Sequence, residues 1–350
     1  MTETDQGREG WTASEQIPTA EAEAERSATP PADLARLRRR WIVVLAAIAV
    51  AFAGTIFALN STLYSASGFV SSYLDALARH DSNGALGMPG VTIEANAQDD
   101  LLRPETLGDL GDITMISDVA SGDGVHTLVF EVDGSRTTFD VEYTGLRLGL
   151  ISTWAFATSP SAVLEITPVG DASFDANGVT ITSPGGPSVA RSFAVMIPSI
   201  VELSHTSAYL EAPPREVRVM DADVIATASV TPQANEEFVS AVQKELDRGL
   251  DECATQEVLQ PSGCPFGERI SNRVVSTPKW SIATYPVITI EPGVAPGTWE
   301  VPATTGEANL VVDVQSLFDG TISPYNENTS FTVSYVITFT PGGGVSILGR

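Results

Sequence analysis

The chain contains two cysteines, Cys253 and Cys264, both within the stretch ECATQEVLQPSGCPFG. Two thiols with ten residues between them can close a disulfide, hold a metal or pass electrons. The spacing is neither C-x-x-C nor that of a zinc site, and no histidine lies nearby, so the compartment decides their use.

Other residue types that carry chemistry are present but not in patterns that support it. Ser276-Thr277-Pro278-Lys279 has the S-x-x-K spacing of serine penicillin-binding enzymes. That chemistry needs the serine at a helix start and the lysine one turn later to take its proton. Pro278 stands between them in a segment leading into a strand, and no S-D-N or K-T-G follows, so the match is coincidental. His80, His126 and His205 fall at a helix end, a strand start and just after a strand, which predicts surface or capping roles. Asp171, Asp175 and Asn177 before Gly178 loosely match a calcium loop, yet the full D-x-D-x-D-G pattern with its closing glutamate is absent and a hairpin turn accounts for them. Asp99-Asp100, Asp221 and Asp223 are equally plain. Carboxylate pairs for glycoside hydrolysis could be drawn in too many ways to select one, and no G-x-S-x-G occurs. No catalytic residue, cofactor site or metal site is expected. Asn60 and Asn328 begin N-x-S/T triplets, which matter only in a cell that glycosylates secreted proteins, and the first lies too close to the apolar run described next.

The elements that position these residues begin with an apolar run. Residues 41–59 hold 19 residues without a charge, about the length that spans roughly 30 Å of hydrocarbon. Arg36, Arg38, Arg39 and Arg40 precede it directly and no basic residue follows until Arg79. The positive-inside rule then keeps the N-terminus cytoplasmic and sends residues 60–350 outward. A cleaved secretory signal is the competing reading, with Ser65-Ala66-Ser67 as its site. Forty preceding residues are too many for an ordinary n-region, which favours an uncleaved anchor. An exported segment meets an oxidising environment, so Cys253 and Cys264 are assigned to one structural disulfide, on which the position of the Gln-, Pro- and Gly-containing loop should depend.

Charge excludes one class of partner. The chain has 19 Lys plus Arg against 44 Asp plus Glu. The first 40 residues carry 6 basic and 8 acidic side chains, so 13 and 36 remain beyond them. Such negative potential repels phosphate backbones, and nucleic acid is not an expected partner. Residues 1–40, rich in Glu, Ala, Thr and Pro with Trp11 their one aromatic, read as a disordered cytoplasmic tail.

Beyond the span at 41–60, three regions follow. In residues 61–158, Phe69, Val70, Tyr73, Leu74 and Leu77 have helical spacing and His80-Asp81-Ser82-Asn83-Gly84 stops the helix. Short strands follow from Ile113, with a turn at Asp133-Gly134, ending near Phe156. Residues 159–231 read as five or six short strands with no helix, cut by Asp175-Ala176-Asn177-Gly178, by Pro184-Gly185-Gly186-Pro187 and by a loop at Pro213-Pro214. In residues 232–350, Thr231-Pro232 opens a second helix with Phe238, Val239, Val242, Leu246 and Leu250 as its buried stripe. The cysteine loop and a further antiparallel meander complete the chain. The expected fold is therefore α+β and all-β: one N-terminal transmembrane helix, then an ectodomain of helix-plus-antiparallel-sheet modules and a small β-sandwich-like domain. The two helices align as FVSSYLDALAR on FVSAVQKELDR, which chance matching of amphipathic helices explains better than duplication.

The phrase YLDALARHDSNGAL, with its helix-then-sheet order over residues 65–157, resembles exported domains of the nuclear transport factor two superfamily. That superfamily includes enzymes and pure scaffolds, so the resemblance implies a cone of helices on a curved sheet and no activity. Asn177-Gly178-Val179, Ile181, Ile197 and Pro198 resemble small repeated β-domains of bacterial single-pass envelope proteins, including the teicoplanin-resistance-associated family. The lysine-poor, arginine-rich composition resembles that of high-GC Gram-positive envelope proteins. The functional expectation is a membrane-anchored extracytoplasmic binding or structural protein of the cell envelope, in the plasma membrane, whose partner is an exported protein or a cell-wall component. The alternatives are an accessory subunit of a membrane complex, packing through the Ala-rich span, or a carboxylate-dependent envelope hydrolase.

Overall fold

The computed structural model describes residues 32–340 and 344–349. The tail expected over residues 1–31 lies outside them. The chain divides into a unit ending at Phe57 and a unit from Ala58 onward.

Helix α1 (Ala32–Ser61) starts well before the apolar run, so residues 32–40, expected to belong to the tail, are helical. After Pro31 the sequence ADLARLRRR holds only Ala, Leu, Arg and one Asp, and the first three are strong helix formers without a breaker among them. Within the 26 residues Arg36–Ser61 an 18-residue window has a mean hydropathy of 2.7, and that window is not buried by the rest of the chain. At 1.5 Å per residue the 26 residues measure about 39 Å, which makes this helix long and apolar enough to cross a membrane.

The second unit starts with α2 (Ala66–Ala78), capped by Ser65, whose Oγ accepts from Gly68 N at 3.1 Å. Val70, Tyr73, Leu74 and Leu77 are buried along one stripe, as the spacing predicts. His80 takes φ +56° and ends the helix. Asp81 then caps one further turn, α3 (Ser82–Leu86). Strands β1 (Ile113–Ala120), β2 (Val125–Val132), β3 (Ser135–Arg147) and β4 (Ile151–Phe156) form an antiparallel meander in sequence order. Asp133 and Gly134 turn β2 into β3 with φ +45° and +75°, the two positive values a tight hairpin needs.

Seven strands follow: β5 (Ser161–Pro168), β6 (Ser173–Ala176), β7 (Val179–Thr182), β8 (Arg191–Met196), β9 (Ser199–Thr206), β10 (Leu210–Val219) and β11 (Ile225–Val230). They form two sheets, β11-β5-β8 and a five-stranded β12-β10-β9-β6-β7 that the short β12 (Gln233–Ala234) completes. Phe174 of the larger sheet meets Phe193 of the smaller one edge to face at 5.7 Å. One apolar core runs from α2 and the first meander through both sheets, from Ala66 to Val230. Pro213-Pro214 is not the expected loop; both prolines lie inside β10, at a break in register between Ala212 and Arg215. They are tolerated because β12 pairs only with Leu210 and Glu211, leaving β10 an edge from there on.

Helix α4 (Glu236–Ala254) begins later than Thr231-Pro232 suggested. Gln233 and Ala234 are drawn into pairing with β10, and Asn235 caps the helix by accepting from Phe238 N at 2.9 Å. Phe238, Val242, Leu246, Leu250 and Cys253 are buried in a second core. That core is completed by β13 (Arg273–Val274), β14 (Lys279–Thr284), β15 (Glu291–Pro292), β16 (Thr298–Gln315), β17 (Ile322–Phe339) and β18 (Val345–Gly349). The first three all pair with β16, which is followed in order by β17 and β18. The architecture is α+β with mostly antiparallel sheets.

Candidate binding cleft

The cysteines form the expected bond, with Cα atoms 5.8 Å apart. The loop is not held by sulfur alone, as the sequence suggested. Phe266 is buried against Trp280 and Phe331, and Trp280 Nε1 donates to Val258 O at 2.8 Å. A groove of about 240 Å³ beside the bond is lined by Val242, Leu246, Leu250, Tyr335 and Ile347. Burial pushes the Tyr335 phenol up.

Most residues singled out for chemistry are engaged in structure. Ser276 Oγ accepts from Asp313 N at 2.7 Å, and Lys279 opens a strand rather than following on a helix. Asp175 accepts from Thr180 Oγ1 and Thr206 N. Asn177 donates to Thr106 O and accepts from Glu202 N while forming, with Gly178, the β6–β7 turn. Asp100 pairs with Arg103, and Asn328 accepts from Asn309. His126 Nδ1 lies 2.7 Å from Asp118, whereas His80 Nε2, 3.3 Å from Asp109, has no hydrogen-bond partner. Among the described residues no group of three His, Cys, Asp or Glu side chains could hold a metal ion.

His205 departs from expectation. It is 3% exposed, not a surface group, because in β9 it shares inward parity with Val201 and Leu203. Its Nε2 lies 3.6 Å from Asp171 Oδ2 and has no hydrogen-bond partner. Asp171 sits in the β5–β6 turn, where its Oδ1 accepts from Ser173 N at 3.1 Å and Oδ2 is left toward the histidine. The preceding Gly170 has φ +81°, and a Cβ there would lie 3.0 Å from Trp299 Cζ2, so the turn presses on the indole. Trp299 is fully buried and its Nε1 is also unpartnered. Leaving such groups unbonded costs about 1–3 kcal/mol each. Ser183, bonded through its backbone N to Ala172 O, also has a buried Oγ without a partner.

Asp171 opens on a cleft of about 410 Å³ that five distant segments build: the β5–β6 turn, Pro187 in the β7–β8 loop, the β9–β10 turn with Tyr209, Gly297 before β16, and Phe339 at the end of β17. Tyr209 and Phe339 lie nearly parallel, with centroids 5.9 Å apart. Phe238 supports both from below, at 5.4 and 5.3 Å, and meets Trp299 edge to face at 6.0 Å. A carboxylate beside two aromatic faces suits a cationic group on an apolar stem, since ring faces and carboxylate attract the same charge.

No protein-family model matches the chain, and the comparisons find no similar curated protein and no similar solved structure.

Proposed function

We propose that the protein is a non-enzymatic, membrane-anchored binding protein of the cell envelope, its N-terminus cytoplasmic and residues 60–350 outside. The four arginines before the apolar helix support this orientation, and the disulfide suits an oxidising compartment. The ligand is an exported protein or cell-wall component that presents an amine to Asp171 beside Tyr209 and Phe339. The observation that carries this reading is the Asp171 carboxylate on the wall of the cleft that Tyr209 and Phe339 also line.

Calorimetric titration of the full-length protein in detergent micelles tests it. Peptidoglycan stem peptides with a free side-chain amine should bind, and both N-acetylation of the peptide and Asp171→Asn should weaken binding several-fold. Equal affinity for the acetylated peptide, or for Asp171→Asn, would overturn the reading.

A further inference from the structure

The β3–β4 turn uses residues that folding alone does not favour. Its two positive-φ positions are Leu148 (+54°) and Gly149 (+69°). Elsewhere the chain fills equivalent turns with Asp133-Gly134 and Asn177-Gly178, the short polar residues that tolerate this region. A leucine pays conformational energy at positive φ and is repaid only by burial, yet Leu148 is 87% exposed. Leu146 and Leu150 beside it are exposed as well. The tip LRLGL thus projects three exposed leucines.

Its location supplies the partner. Asn60, one peptide bond beyond the last residue of the apolar run, donates through Nδ2 to Leu150 O at 2.7 Å and accepts through Oδ1 from Ser152 N at 2.9 Å. Trp154 Nε1 donates to Tyr64 O at 2.9 Å. The hairpin is therefore bonded on two levels to residues 60–64, which also expose Leu63 and Tyr64. Tyr143 packs on Trp154 edge to face at 5.6 Å, giving the tyrosine and tryptophan content typical of a membrane–water interface. Arg147 is exposed in the tip and forms no ion pair among the described residues, in an ectodomain otherwise dominated by acids. An apolar tip flanked by aromatic rings and one cation fits the boundary between acyl chains and anionic headgroups.

We propose that the β3–β4 hairpin is a second membrane contact: Leu146, Leu148 and Leu150 enter the outer interface. This rests on the reading of α1 as a membrane span. The test places a nitroxide on Leu148→Cys in the full-length protein in nanodiscs containing phosphatidylglycerol, and compares relaxation by oxygen and by a water-soluble nickel chelate. Labels on Ala51→Cys, within the apolar run, and Phe318→Cys, at the exposed β16–β17 turn, are the references. The native cysteines are bonded and stay unlabelled. The oxygen-to-nickel ratio at 148 should approach that at 51 and exceed that at 318 several-fold. A ratio at 148 equal to that at 318, with 51 in lipid, would overturn the hairpin contact and leave the anchor standing. A water-like ratio at 51 would sink the anchor and the hairpin contact with it. Leu146→Cys, read the same way, guards against a local disturbance at 148.

Discussion

The phenol of Tyr73 reaches from α2 to Ile197 O at 2.9 Å and to Pro160 O at 3.1 Å, joining this helix to one end of the small sheet, where β5 begins beside the end of β8, with one buried hydroxyl. Tyr73→Phe keeps the ring contacts with Phe139 and Phe156 but removes the donor to Ile197 O, while Pro160 O still accepts from Ile197 N at 3.0 Å. Equilibrium urea unfolding should register a loss of about 1–3 kcal/mol. A change within error would mean that the hydroxyl is dispensable.

The same residue sets an alkaline limit. Burial holds the Tyr73 phenol well above its usual value near 10. The unfolded chain ionises first, so the stabilisation is fully present below about pH 10 and is lost as pH rises beyond it. Melts between neutral and strongly alkaline pH should show wild type declining more steeply than Tyr73→Phe. Parallel curves would assign the decline to other groups.

At the cleft, His205→Leu removes a buried nitrogen that bonds to nothing. Replacing an unsatisfied group by an apolar one of similar size should leave stability within about 1 kcal/mol of wild type or raise it. A loss well beyond that would show the imidazole to be bonded in solution.

For the disulfide, replacing Cys253 and Cys264 with alanine should cost about 2–4 kcal/mol. Because Phe266 is buried in the second core, Phe266→Ala should cost as much or more, about 3–5 kcal/mol. Both losses should fall on a step that leaves the first core folded, visible as two transitions by near-ultraviolet dichroism. Titration of two free thiols in protein taken from the cell exterior would refute the bond.

Leu148→Asn offers the turn a residue suited to positive φ. In detergent, where the bilayer boundary is lost, it should stabilise the protein by up to about 1 kcal/mol, measured by thermal melting. Destabilisation would show that Leu148 makes a contact within the fold.

Local patterns carried much of this architecture into the sequence. The stripe of α2, the stripe of α4 and the Asp133-Gly134 turn are set by neighbours a few residues away, and they appear where periodicity places them. Strand β9 was harder to read because Pro198 looks like a terminus and Glu202, Ser204 and His205 dilute its apolar content. Its parity, with Val201, Leu203 and His205 on one side, was the available signal. Pro213-Pro214 misled because whether a strand is an edge depends on how far its neighbour extends, and β12 stops at two residues. The cleft left no trace, since Asp171, Tyr209, Gly297 and Phe339 meet only through tertiary packing. For Asp171 the sequence offered a turn aspartate and nothing more.

Strand β5 runs parallel to β11, from Val163 against Ile225 to Pro168 against Val230. Tension drawn between the N-terminal side of the chain and its C-terminal half enters β5 at its first residue and leaves β11 at its last. The two strands are then pulled lengthwise past one another, so their hydrogen bonds carry load together instead of parting one after another as in a hairpin opened from its ends. A protein tethered at one end and gripped at the other would hold mechanically at this pair.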